Sequence, residues 1–294
     1  MKNICYFEHS DVVNGRLVIP EGVDDIYSTS FCDSRSLIGP HSAMVVDELV
    51  ISSTVSWIDP ELFYSDRFIV KSITLSENNP FYHMVNGCLV KNDTMRIIWV
   101  PENCVIPDSI KRVSDIYGQH IKSIVIPESV VEIEQSAFEN LYNLESLEIN
   151  ADIKGLHSGF ARYCRSLKHI KLPDTITVFG GCLFTHSGLV SKPGIYKAFQ
   201  LKDGELVCRG KRYGVGHKSR AFGKLKLCGN GIHFCTNLFS VFNYYYGEYG
   251  EDFVIAECEA SKERVVSEEK SCARWLRPVR VLEREEVLRV LNGE

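Results

Sequence analysis

The chain has 11 cysteines but no Cys-x-x-Cys pair. That absence removes the spacing of the common structural zinc sites and of redox pairs. The first residues, Met1-Lys2-Asn3-Ile4-Cys5-Tyr6, hold no long apolar run and no small-residue cleavage site, so no export signal is expected. No apolar run is long enough to span a bilayer. The resulting expectation is a cytoplasmic protein whose thiols are reduced and mostly buried as small hydrophobes. An excess of basic charge is missing too: 33 Lys and Arg stand against 38 Asp and Glu, a net charge of -5. This argues against nucleic-acid binding by the whole chain and leaves only a local basic patch. Within 294 residues, 45% apolar and 24% charged, there is room for two domains of an ordinary globular type.

What is present is a recurring phrase of apolar residues at positions 1, 4 and 6 of a strand. It reads Val46-Leu49-Ile51, Val70-Ile73-Leu75, Met95-Ile98-Val100, Ile121-Ile124-Ile126, Leu144-Leu147-Ile149 and Leu167-Ile170-Leu172, at intervals of 24, 25, 26, 23 and 23 residues. Such a period predicts a solenoid of leucine-rich-repeat type, because one unit cannot bury its own apolar face and stacked units can. In the clearest unit Ile124 and Ile126 point inward and Pro127 ends the strand. Val130 and Ile133 then return to the core, and Ala137, Phe138 and Leu141 form a short helical turn. The phrase ends near Val190. The expected fold is an α/β solenoid followed by a small α+β domain. Residues 1–45 are an irregular cap with a first repeat at Leu17-Val18-Ile19-Pro20, residues 46–190 the repeats, and residues 191–294 the second domain.

The wording of 126–149, with Ile-Pro, a turn, Val-x-x-Ile, Ala-Phe and a following Leu-x-x-Ile, resembles the BspA-like leucine-rich repeats. So does Asn79-Pro80-Phe81-Tyr82 with Asn86-Gly87-Cys88-Leu89-Val90 and Ile97 to Pro101. On this register Val50, Ile97, Trp99 and Val125 fall in outward columns of the strands. They would form an exposed apolar patch, which marks a face for a protein partner. Packing by the second domain, or a plain β-branched preference, are the alternatives.

In the second domain, Ile195 to Phe199 and Leu206 to Cys208 read as a hairpin around Lys202-Asp203-Gly204. Leu225 to Cys228, Ile232 to Cys235, Phe253 to Ala260 and Val279 to Leu282 read as strands. Thr236 or Asn237 is placed to cap a helix through Leu238, Val241, Phe242 and Tyr245, and Glu285 to Leu291 reads as a terminal helix. The phrases Cys208-Arg209-Gly210, Tyr213-x-Val215-Gly216 and Cys228-x-Asn230-Gly231-Ile232-His233-Phe234-Cys235 resemble an uncharacterised domain of phage and bacterial proteins, which implies a prophage setting and no particular activity. The run Gly229 to Thr236 with Tyr244 is also similar to the central motif of ADP-ribosyltransferases. That resemblance implies NAD as cofactor, with Arg209, His233, Tyr244 and Glu257 (or Glu259) as catalytic candidates. His233 departs from it, standing where a tyrosine is usual.

Between Leu206 and Tyr246 there is no acidic residue, while Arg209, Lys211, Arg212, Lys218, Arg220, Lys224 and Lys226 supply seven fixed positive charges. This local basic surface predicts an anion site for a nucleotide, a nucleic acid or an acidic partner, with Phe242, Tyr244, Tyr245 and Tyr246 available to stack a base. Cys208, His217, Cys228, His233 and Cys235 lack the spacing of a zinc site, and no metal is expected. Three functions follow: a protein-interaction module with an added ligand site, an NAD-using transferase with repeats selecting its target, or a nucleotide or nucleic-acid binder.

Overall fold

Three short parallel strands, Arg16–Val18, Glu48–Ile51 and Ile73–Leu75, open the repeat region, with Leu17, Leu49 and Ile73 in register and buried. Four more, Asn103–Val105, Ser123–Ile126, Ser146–Ile149 and His169–Lys171, form a second parallel ladder that aligns Cys104, Ile124, Leu147 and Ile170. The computed structural model describes residues 6–31, 43–64, 68–227, 229–267 and 270–294. Residues 1–5 and 32–42 of the expected irregular cap lie outside them. The architecture is mostly β, a solenoid-like stack of about six turns followed by a small domain.

Between the ladders the chain departs from the repeat. Tyr82–Val85, Cys88–Lys91 and Ile97–Trp99 form an antiparallel sheet. Asn86 and Gly87 turn its hairpin, with φ of 50° and 75°, the left-handed pair that an Asn-Gly turn supplies. Met95-Ile98-Val100 is therefore not a repeat strand, and Asn103–Val105 takes that place in the ladder. This sheet is buried on both faces. Cys88, Val90, Ile97 and Val100 join one core cluster, and Tyr82, Leu89, Ile98 and Trp99 join the other. Strand neighbours point to opposite faces, so Cys88 to Val90 alternate between the two cores. A register irregularity between Ile97 and Trp99 sends Ile98 and Trp99 to the same side.

The expected apolar patch is absent as a consequence. Ile97 is 9% exposed, Trp99 2% and Val50 8%, while Val125 is half-buried. Trp99 stacks on His120 with centroids 5.2 Å apart. The outward positions of the ladders instead carry ion pairs between neighbouring turns: Arg16 with Glu48 at 2.8 Å, Asp47 with Lys71 at 2.8 Å and Glu148 with Lys171 at 2.6 Å. Opposite the ladders, 136–141 form turns rather than a helix, with Ala137, Phe138 and Leu141 buried.

The second domain closes the end of the stack. The last solenoid strand, Val178–Phe179, pairs antiparallel with Gly247–Glu248. Cys182 N–H donates to the Phe242 carbonyl at 3.0 Å, and Tyr249 N–H to that of Thr177 at 2.9 Å. Asn292 brackets Leu172, accepting from its N–H at 2.7 Å and donating to its carbonyl at 3.1 Å. Phe179 stacks on Phe242 at 4.8 Å, and one core cluster runs from Cys88 to Leu291 without a break at the domain junction. An exposed solenoid end offers an unpaired strand edge and a bare apolar face, and this cap removes both.

The domain holds a six-stranded antiparallel sheet in the order Lys211–Tyr213, Glu205–Cys208, Tyr196–Lys202, Phe253–Ala260, Trp275–Val281, Ser219–Arg220. A smaller sheet pairs Ile232–Phe234 with Ser271–Ala273 and that with Arg264–Val266. Leu225 to Leu227 are not a strand, and Cys228 lies outside the described residues. The stretch expected as a helix is a short 3-10 helix, Leu238–Asn243, whose Asn237 cap accepts from Phe239 N–H at 3.2 Å. The terminal helix is Arg284–Leu291.

Candidate functional site

The two sheets of the second domain touch at one bridge, where Tyr196 and Cys235 exchange N–H···O bonds of 2.8 Å in both directions. Beyond it they separate, and a cleft of about 680 Å³ opens between them. Its walls include Lys197, Gln200, Cys208, Arg209, Lys211, Tyr213, Arg220, the segment 229–235, Tyr244, Tyr245 and Lys270. The larger sheet curls around this space. Lys211 Nζ donates to the Arg220 carbonyl at 3.2 Å, although the two residues sit on opposite edge strands. Six strands laid flat would put those edges more than about 20 Å apart, beyond the reach of a lysine side chain.

Among the described residues five cationic side chains line the cleft, Lys197, Arg209, Lys211, Arg220 and Lys270, and no Asp or Glu does. Lys197 is 6% exposed. Its Nζ donates to the His233 carbonyl at 3.0 Å and lies 5.4 Å and 6.0 Å from the centres of the Phe199 and Tyr213 rings. Among the described residues one carbonyl acceptor and two ring faces meet this ammonium, which carries three N–H donors. Arg209 occupies the tip of a two-residue hairpin turn with φ of 50°, followed by Gly210 at 73°. Asn, Asp or Gly is the usual choice there, and a side chain as long as arginine holds a left-handed position at a cost of about 1 kcal/mol. Strain of this kind concentrates at functional sites.

The cleft also sets its own titration. Burial, reinforced by the charges of Arg209, Lys197 and Lys270, lowers the pKa of His233. Burial pushes the Tyr213 hydroxyl up to about 12. The Tyr245 hydroxyl, buried and 3.1 Å from Cys208 Sγ, is raised as well. Near neutral pH His233, Tyr213 and Tyr245 are therefore neutral rings. Lys270 Nζ lies over the ring of Tyr244, 5.1 Å from its centre, and Tyr244 as a residue is 40% exposed.

Of the four residues expected for transferase chemistry, Arg209, His233 and Tyr244 meet in this cleft and Glu257 does not. Ala256 and Cys258 are buried, and the alternation of the strand sends Glu257 to the other face. There it pairs with Arg280 at 2.8 Å, which also holds Glu286 at 2.6 Å, while Glu259 pairs with Arg277. The expected basic surface is likewise divided. Arg209, Lys211 and Arg220 line the cleft, whereas Arg212 pairs with Glu205 at 2.9 Å and Lys218 lies 4.3 Å over the Trp275 ring. Lys224 and Lys226 are exposed beside the cleft and not part of its lining. Lys197 and Lys270 were not expected. A charged residue inside the apolar run Ile195 to Phe199 is the signal for Lys197, since lysine is almost never fully buried without a reason. Nothing local in the sequence marks Lys270. Among the described residues no group of three or more His, Cys, Asp or Glu side chains is placed to hold a metal.

Residues 100–195 match the model of the BspA type leucine rich repeat region, in 6 copies. Residues 195–290 match a domain of unknown function, DUF7666. The chain thus carries a BspA type repeat region with a DUF7666 domain after it, and neither matched model is that of an ADP-ribosyltransferase. Comparison with curated proteins gives no match. A solved leucine-rich repeat protein from Eubacterium ventriosum ATCC 27560 is 15% identical, over 63% of this chain and 68% of that one, with a TM-score of 0.35. A leucine rich cell surface protein from Faecalibacterium prausnitzii A2-165 is 20% identical over 58% of this chain and 50% of its own, with a TM-score of 0.39. The pneumococcal vaccine antigen PcpA is 16% identical over 59% and 67%, with a TM-score of 0.27. Leucine-rich repeats are in general protein-interaction modules.

Proposed function

We propose that this chain is a protein-interaction module whose second domain binds an anionic ligand in the cleft between its two sheets. The repeats supply the interaction surface, and the ion-paired outer ladders suit a polar partner. The observation that carries the ligand site is the set of five cationic side chains, one of them the buried Lys197, with no carboxylate among the described lining residues. Like charges gathered in a partly dry cleft repel one another, and an anion placed among them relieves that repulsion. A phosphate or pyrophosphate group supplies both negative charge and oxygen acceptors for the N–H donors of these cations.

The test is titration calorimetry with sodium pyrophosphate, together with thermal unfolding at increasing pyrophosphate. Binding is expected to weaken as sodium chloride rises, and Lys197→Met to abolish it. Absence of both heat and stabilisation in the wild-type protein at low salt would remove this reading. Glu257, turned away and held by Arg280, takes no part in the proposed site.

A further inference from the structure

We infer that the anion taken by the cleft is a nucleoside phosphate, its phosphate among the cations and its base against the Tyr244 ring. This rests on the anion-site reading above and adds the ligand class.

Size is the first argument. A cleft of about 680 Å³ is far larger than a phosphate or pyrophosphate and falls in the range of sites for whole small molecules. A bare inorganic anion would leave most of it to water.

Chemistry of the walls is the second. Tyr213, His233, Tyr244 and Tyr245 line the same space as the cations. His233 has its pKa lowered, so near neutral pH its ring is an uncharged imidazole. Tyr245 is engaged by Cys208, and Tyr213 by Phe199 and two lysines. Tyr244 is the most exposed of the three tyrosines, at 40%, with Lys270 Nζ over one face of its ring. Cations next to an accessible ring are the two elements by which proteins hold a phosphorylated base.

Placement is the third. Lys197 Nζ is held by the His233 carbonyl of the smaller sheet and Lys211 Nζ by the Arg220 carbonyl at the opposite edge of the larger one, with Arg209 at the hairpin tip beside Lys211. Two cations fixed by backbone contacts, with a third next to them, define a place for a multiply charged group.

The experiment is a calorimetric comparison of ADP, pyrophosphate and ribose 5-phosphate on the full chain, with a short single-stranded oligonucleotide as a fourth probe. ADP is expected to bind at least about ten-fold more tightly than pyrophosphate or ribose 5-phosphate, because stacking of one base is commonly worth that much. Tyr244→Ala is expected to weaken ADP by about ten-fold and so erase most of its advantage. Arg209→Asn, which suits the left-handed backbone, is expected to fold and to weaken both ADP and pyrophosphate. It keeps the test valid if Lys197→Met fails to fold. Equal affinity for ADP and pyrophosphate, unmoved by Tyr244→Ala, would overturn the nucleotide while leaving the anion site standing. Binding of the oligonucleotide without ADP would overturn it in favour of a nucleic-acid groove. Binding of none of the probes would overturn both readings.

Discussion

Phe242 is the side chain on which the two halves of this molecule are joined, and its truncation tests whether they unfold as one. Its ring is fully buried, stacked on Phe179 of the last solenoid turn at 4.8 Å and meeting Phe184 at 6.3 Å and Phe253 of the second domain at 6.5 Å. A buried Phe→Ala change costs about 3–5 kcal/mol through lost transfer energy and the cavity left behind. The site is walled by rings from two domains and by the backbone bond from Cys182 to the Phe242 carbonyl, so it collapses poorly, and about 4 kcal/mol is the expected loss. The assay is amide hydrogen exchange read by peptide on Phe242→Ala. Gly180, whose N–H donates to the Leu156 carbonyl, reports the solenoid side, and Leu282, bonded to the Ile255 carbonyl, reports the domain. Both should exchange faster by up to about a thousand-fold, each 1.4 kcal/mol being a factor of ten. The Leu49 amide, bonded to Ser72 next to the other core cluster, should change far less. Loss of protection confined to 232–260, with 155–184 unchanged, would refute the shared core and leave the domain as a separate appendage.

Other consequences follow from single positions. Gly180→Ala should destabilise the last turns by several kcal/mol, since a Cβ there would stand 2.4 Å from Ser158 N and 2.6 Å from the His157 carbonyl carbon, both backbone atoms; a urea midpoint equal to wild type would contradict it. Arg209→Asn should raise stability by about 1 kcal/mol while weakening anion binding, a trade expected of a strained functional residue; unchanged affinity in calorimetry would remove Arg209 from the site. His120 has its pKa lowered by burial, against the opposing pull of its bond to the Val100 carbonyl. Its unfolded form therefore binds a proton first as pH falls, so its contribution is present above about 6.5 and lost below. Urea midpoints should drop from pH 7.5 to about 5, less steeply in His120→Gln, and an identical slope in the variant would refute the assignment. Native labelling with a maleimide should modify Cys182 and, more slowly, Cys208, leaving the buried Cys88, Cys104, Cys164, Cys235, Cys258 and Cys272 untouched until denaturant is added, as peptide mapping can verify.

The limits of legibility in this chain lie at residues whose partners are distant in sequence. The strand phrases at 121–126, 144–149 and 167–172 are legible because each follows the last by one turn, and the parallel register of Ile124, Leu147 and Ile170 is that same interval made physical. Ile98 and Val100 imitate the phrase, but the Asn86-Gly87 turn before them commits 82–99 to an antiparallel sheet, and both of its faces meet other cores. A one-dimensional period cannot separate the two cases, since both place apolar residues at the same offsets. That is why Ile97 and Trp99 look like a surface and are core. The cleft shows the same division. Arg209, His233 and Tyr244 carry local marks, a hairpin tip, a glycine-flanked strand and an aromatic run, and the fold does bring them together. Glu257 has the right composition around it but the wrong parity, one residue from the buried face on either side. Lys197 and Lys270 belong to the cleft only because Tyr196 bridges Cys235 and holds the sheets together at one end. The same bridge sets the His233 carbonyl, two residues away, where the buried Lys197 Nζ donates to it at 3.0 Å, so one junction both joins the sheets and seats a cation on the cleft wall.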